Sequence, residues 1–138
     1  MNRCRVFKIS GLVLILVLCS ALGKAISQQV VSTENKGVTM KQLSSVDLGP
    51  EIEGMGGRQL RMRMITIDPG GIIGIHSHQD RPGVAYILQG KVVEHRGGMS
   101  KEYGEGETWP ENKETVHWLE NRGTTPAILI AVDIFKQP

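Results

Sequence analysis

The chain contains four histidines, His76, His78, His95 and His117. His76 and His78 are two apart in a stretch, Ile72 to His78, that reads as extended, so their side chains share one face of a strand. Two imidazoles at that spacing reach one cation, and a third nitrogen donor from another strand would complete a facial set. Neutral imidazole suits zinc, iron, copper, nickel and manganese in varying degree. The competing reading is a pair of histidines on a solvated strand face, and the pair alone does not decide between the two. Other chemistries lack their parts. No serine sits in a strained glycine elbow, and no phosphate-cradling glycine loop precedes a helix.

Elements with a period of two must position these residues. Leu60 to Ile67 alternates in its first half, as a half-buried strand does. Asp68-Pro69-Gly70-Gly71 forms a turn cluster, and Arg81-Pro82-Gly83 ends the stretch that carries the two histidines. Val84 to Leu88 is a short apolar run closed by Gln89-Gly90, and Lys91 to Arg96 returns from it. Gly97-Gly98 and Gly104-Glu105-Gly106 are further turns, and Thr115 to Leu119 and Ala127 to Val132 make the last strands. Upstream, Val38 to Leu48 adds one or two edge strands before the hinge Gly54-Met55-Gly56-Gly57. Short glycine-punctuated strands at roughly 8–12-residue spacing, with no helical period, describe an all-β sandwich or barrel. The chain thus divides into a lead-in, residues 26–57, and one barrel domain, residues 58–138.

This strand pattern assigns the remaining side chains. His95 faces solvent or pairs with the adjacent Glu94. Arg61 and Arg63 share a face and read as solvated, with an anionic substrate inside the barrel as the alternative. Met62 and Met64 read as core fillers. Trp109 belongs to the core rather than the barrel mouth, Tyr86 packs outside the cavity, and Trp118 points away from the face that His117 uses.

The first 25 residues differ from the rest. Arg3, Arg5 and Lys8 precede an uncharged run from Ile9 to Gly23, followed by the small residues that a signal peptidase accepts. That is the pattern of a secretory signal peptide, residues 1–25, cut after Gly23 or Ala25. As a membrane span the run would cover roughly 22 Å, short of the roughly 30 Å hydrocarbon core. Both cysteines of the 138 residues, Cys4 and Cys19, lie here, as do four of the 16 basic residues and none of the 14 acidic ones. A chain cut after Ala25 is therefore thiol-free, and its formal charge falls from +2 to −2. The basic balance belongs to the targeting segment, which argues against nucleic acid as a partner. The expected destination is the periplasm or the exterior, with no membrane contact after cleavage.

Gly70, five residues, His76-Ser77-His78 and then Gly90 resemble the first motif of the cupin superfamily. That motif runs glycine, five residues, His-x-His, three or four residues, glutamate, six residues, glycine. Gly104, five residues and Pro110 resemble the start of the second cupin motif, and His117, three residues and Asn121 its end. The resemblance covers about Leu60 to Ile134. Two positions depart from it. Gly83 stands where the first motif has glutamate, and Asn112 stands where the second has glycine, with two extra residues before His117.

The resemblance implies a cupin-type double-stranded β-helix, a jelly-roll-like barrel of one domain. It implies His76, His78 and His117 as ligands of a divalent metal, either iron, manganese, nickel or zinc, with the carboxylate missing. Gln79 or Asp80 could supply an oxygen ligand from the loop. Three-histidine sites with open positions imply a dioxygenase-like enzyme acting on a small organic substrate. A non-catalytic module for a small ligand, and a zinc- or manganese-dependent isomerase or hydrolase, remain alternatives. Single-domain cupins pair, which implies a homodimer.

Overall fold

The structure, a computed structural model, describes Val31 and residues 33–136. The expected signal peptide, with Cys4 and Cys19, lies outside the described residues. Among those described there are eight strands and no helix: β1 (Lys36–Asp47), β2 (Arg58–Ser77), β3 (Gly83–Gln89), β4 (Lys91–Arg96), β5 (Met99–Gly104), β6 (Thr108–Glu111), β7 (Val116–Glu120) and β8 (Ala127–Lys136). They form one antiparallel sheet in the order β5-β4-β7-β2-β8-β3-β6, with β1 also paired to β2. The sheet curls into a nearly closed barrel, the all-β architecture expected from the strand pattern and of the cupin type that the resemblance implies.

The 20-residue β2 makes the curl possible. Its first half pairs with β8 from Arg58 to Ile67, and its second half pairs with β7 from Ile72 to Ser77. Asp68-Pro69-Gly70-Gly71, expected as a turn between two strands, is instead a corner within one strand. Gly70 takes the positive φ of 72° that the corner needs, a conformation cheap only for glycine. Asn121 fixes this corner from β7's end. Its backbone N–H donates to Gly71 O at 3.0 Å and its carbonyl accepts from Gly70 N–H at 2.9 Å. Its buried amide also donates to Ile67 O and Thr125 O at 2.9 and 2.8 Å.

The interior is aliphatic with two aromatic rings. Ile65, Ile67, Ile73, Ile87, Val92, Leu119 and Leu129 pack with Tyr103 and Trp109, whose ring centroids are 4.7 Å apart. Strand alternation then corrects two expectations. Ile65 and Ile67 face inward, so Arg61 and Arg63, in phase with them, do too. Met62 consequently faces outward at 37% exposure rather than filling the core. The two arginines are not solvated, since each side chain is only 13% exposed and donates to buried Asp133 on β8.

Candidate metal centre

His76 on β2 and His117 on β7 are direct cross-strand partners, and His78 lies one residue past the end of β2. The register alone therefore brings these three rings to one place. His117 Nε2 stands 3.1 Å from both His76 Nε2 and His78 Nε2. All three ligand atoms lie within 4.8 Å of one another. His117 and His78 are fully buried, and His76 is half-buried at the cavity.

The other ring nitrogen of each histidine faces an acceptor. His117 Nδ1 donates to Glu94 Oε1 at 2.6 Å, His76 Nδ1 to Gly74 O at 2.8 Å, and His78 Nδ1 to Arg81 O at 3.0 Å. A carbonyl or carboxylate oxygen only accepts, so each ring carries its proton on Nδ1 and turns the Nε2 lone pair inward. Burial pushes His76 and His78 down to about 4, against the smaller opposing effect of the carbonyl each one donates to. Both rings are thus neutral near pH 7. The Nε2 atoms of His76 and His78 converge on His117 Nε2 at 3.1 Å, and a cation at their focus would satisfy all three as nitrogen donors. The spacing also fits: donors about 2.1 Å from one cation stand about 3.0 Å apart at right angles and about 3.4 Å apart in a tetrahedron. The donor set therefore suits a divalent metal, with outer partners that fix ring orientation as metal-ligating histidines require.

His76 and His78 open on a cavity of about 210 Å³. Its apolar wall includes Ile65, Ile73, Leu119 and Leu129, and its polar wall includes Arg63, Arg81 and Glu111. Charges cross the barrel interior in a row. Arg61 on β2 pairs with Asp133 on β8, Asp133 with Gly83 on β3, and Gly83 with Glu111 on β6. Asp133 accepts from Arg61 at 3.0 and 2.9 Å and from Arg63 Nη2 at 2.8 Å, with Arg81 Nε 3.7 Å away. Three guanidiniums thus surround one carboxylate, and Arg63 Nε is buried without a hydrogen-bond partner.

Sequence reasoning assembled the three histidines but missed Glu94, Arg81, Glu111 and Asp133. Gln79 and Asp80 are exposed, and Asp80 is not one of the group. His95 does not face solvent or take Glu94. It stacks on Trp118, with centroids 3.7 Å apart, donates from Nε2 to Glu120 at 2.7 Å and accepts from Ser100 Oγ at 2.9 Å. Trp109 is a core residue that also lines the cavity, and its indole donates to Glu111 Oε1 at 3.1 Å. The signal for Glu111 was its phase, since it shares an inward face with Trp109.

Comparison with known proteins agrees with this architecture. No curated protein matches the chain. Among solved structures, KdgF from Halomonas sp. superposes with a TM-score of 0.60 at 14% identity, over 75% of this chain and 87% of that one. A predicted oxalate decarboxylase from Thermotoga maritima gives 0.58 at 23% identity, over 77% and 94%. The cupin domain of Schizosaccharomyces pombe Cnp3 gives 0.58 at 11%, over 76% and 66%. At these identities the likeness is one of fold. The Cupin_2 model, a cupin domain, matches residues 63–133, which include all three clustered histidines. The chain belongs to the Cupin_2 family.

Proposed function

We propose that this protein is an exported, metal-dependent cupin enzyme that acts on a small organic anion. The observation that carries the reading is the focus of three Nε2 lone pairs, each ring's proton held on the far side by Glu94, Gly74 or Arg81. When bound there, a divalent metal would supply Lewis acidity and, in the case of iron, dioxygenase-like activation of oxygen. The protein's own residues do the rest. Ile65, Ile73, Leu119 and Leu129 exclude water from the organic part of a substrate. Arg63 and Arg81 bring positive charge to the same cavity, and the unpartnered Arg63 Nε supplies a donor for a carboxylate. A cavity of this size takes a small molecule rather than a polymer. Export follows from the signal-peptide pattern of residues 1–25, and the apolar outer face of the barrel supports pairing of two copies.

Elemental analysis of protein purified without added metal or chelator tests the reading. The expected result is about one equivalent of metal, lost in His78→Ala while the circular dichroism of a folded barrel persists. Metal-free protein that gains no melting temperature with iron, manganese, nickel or zinc would overturn it. Metal and organic anion bound without turnover would make the protein a binding module instead.

A further inference from the structure

Position 83 has no room for a side chain. A Cβ built on Gly83 would stand 2.7 Å from Val132 O, 3.1 Å from Asp133 Cβ and 3.2 Å from Glu111 Oε2. The first of these is backbone and cannot yield. The space that a residue at 83 would use is filled from the neighbouring strand, where Glu111 pairs directly with Gly83. Glu111 is buried, at 7% exposure. Its Oε2 lies 3.3 Å from His78 Nδ1, and its Oε1 lies 3.8 Å from His117 Nε2. Two donors about 2.1 Å from a shared cation are at most about 4.2 Å apart, so Oε1 is within reach of a cation that His117 holds.

We propose that Glu111, projecting from β6 over Gly83, is the fourth protein ligand of the metal held by His76, His78 and His117. This rests on the metal-dependent reading. Glu111 now accepts from the Trp109 indole and stands outside the closest donor group. Its terminal χ3 torsion is broad rather than confined to staggered wells, and rotation there would exchange the indole for the cation. The carboxylate lowers the charge of the centre by one. It explains why this barrel keeps a buried acid beside three clustered histidines although position 83 offers none.

The test is titration of cobalt(II) and manganese(II) into metal-free wild type, Glu111→Gln and His78→Ala, each checked for folding by circular dichroism. Glu111→Gln is expected to bind 10- to 100-fold more weakly and to shift the cobalt visible bands, because an oxygen donor is exchanged. A second readout needs no change at Glu111. In a Trp118→Phe background, zinc(II), a d¹⁰ ion that does not quench as cobalt(II) and manganese(II) do, should alter Trp109 emission as the indole loses its acceptor, and unchanged emission on zinc binding would overturn the assignment if Glu111→Gln fails to fold. Unchanged affinity and an unchanged cobalt spectrum in a folded Glu111→Gln would overturn the assignment while leaving the three-histidine centre intact. Wild type that binds neither metal would overturn both.

Discussion

At the scale of single residues, His117 depends on Glu94. The ring has no exposure, and its Nδ1 proton goes to a carboxylate that also accepts from Arg96 Nε at 2.9 Å. Burial alone would raise the Glu94 pKa, but the hydrogen bonds from His117 and Arg96 outweigh it and hold the group below the usual carboxylate range. An ionised acceptor makes the ring a better donor toward a cation on its other side. Glu94→Gln keeps an oxygen in place and loses the charge, so zinc or manganese affinity should fall 10- to 100-fold in calorimetric titration. Glu94→Ala also strands the buried His117 donor, which costs about 1–3 kcal/mol in denaturant unfolding. Equal affinity in wild type and Glu94→Gln would show that the carboxylate only fills space. The three histidines were legible because few residue types bind metals and His76-Ser77-His78 repeats with the strand's period. Glu94 was readable by the same period and was misassigned to His95. Consecutive strand residues point to opposite faces, so Glu94 goes in and His95 goes out.

At the scale of elements, the contacts between strands decide what alternation within one strand leaves open. The row Arg61, Asp133, Gly83, Glu111 crosses four strands, and no reading of a single segment could align it. With a glutamate at 83 the row would hold three adjacent carboxylates, and like charges directly opposite are destabilising. Gly83→Ala should already lower stability by about 1–3 kcal/mol, since its Cβ overlaps the Val132 carbonyl. Gly83→Glu should cost more and gain no metal affinity; a rise in affinity would show that the barrel can open at β3. The turn residues of β2 were visible in sequence, but the ladder that makes them a corner was not, because it depends on Asn121 some fifty residues away. The β4–β7 seam gives a pH-dependent case. Burial would raise the Glu120 pKa, but hydrogen bonds from Arg122 and His95 hold it below the usual carboxylate range. A carboxylate depressed in the folded state stabilises above its unfolded pKa and loses that contribution as pH falls through its folded one. Melting temperature followed from pH 6 to pH 3 should therefore fall less in Glu120→Gln than in wild type. For a partly exposed group the difference should be about 0.5–1 kcal/mol, and parallel curves would remove the pair from the account.

At the scale of the whole molecule, inward arginines and outward methionines share one origin. The start of β2 turns Arg61 and Arg63 toward the cavity, which leaves Leu60 and Met62 outside. The register extends that face across three strands, with Met62 opposite Val132 and Val132 opposite Val84, and with Met64 opposite Ile130 and Ile130 opposite Tyr86. Val84 is 53% exposed and Tyr86 41%. Contiguous apolar surface is a feature common at contact sites. A second copy is the occupant that the homodimer reading proposes, because a sheet face of mixed aliphatic and aromatic side chains is self-complementary under a two-fold axis. Sedimentation velocity should give twice the chain mass at micromolar concentration. Val84→Lys places a charge at the most exposed position of the row and should halve that mass while leaving metal stoichiometry at one per chain. A monomeric wild type would refute the pairing. A Val84→Lys variant that lost its metal as well would show that the outer face supports the centre through β3, because Gly83, which adjoins Val84, lies against Glu111.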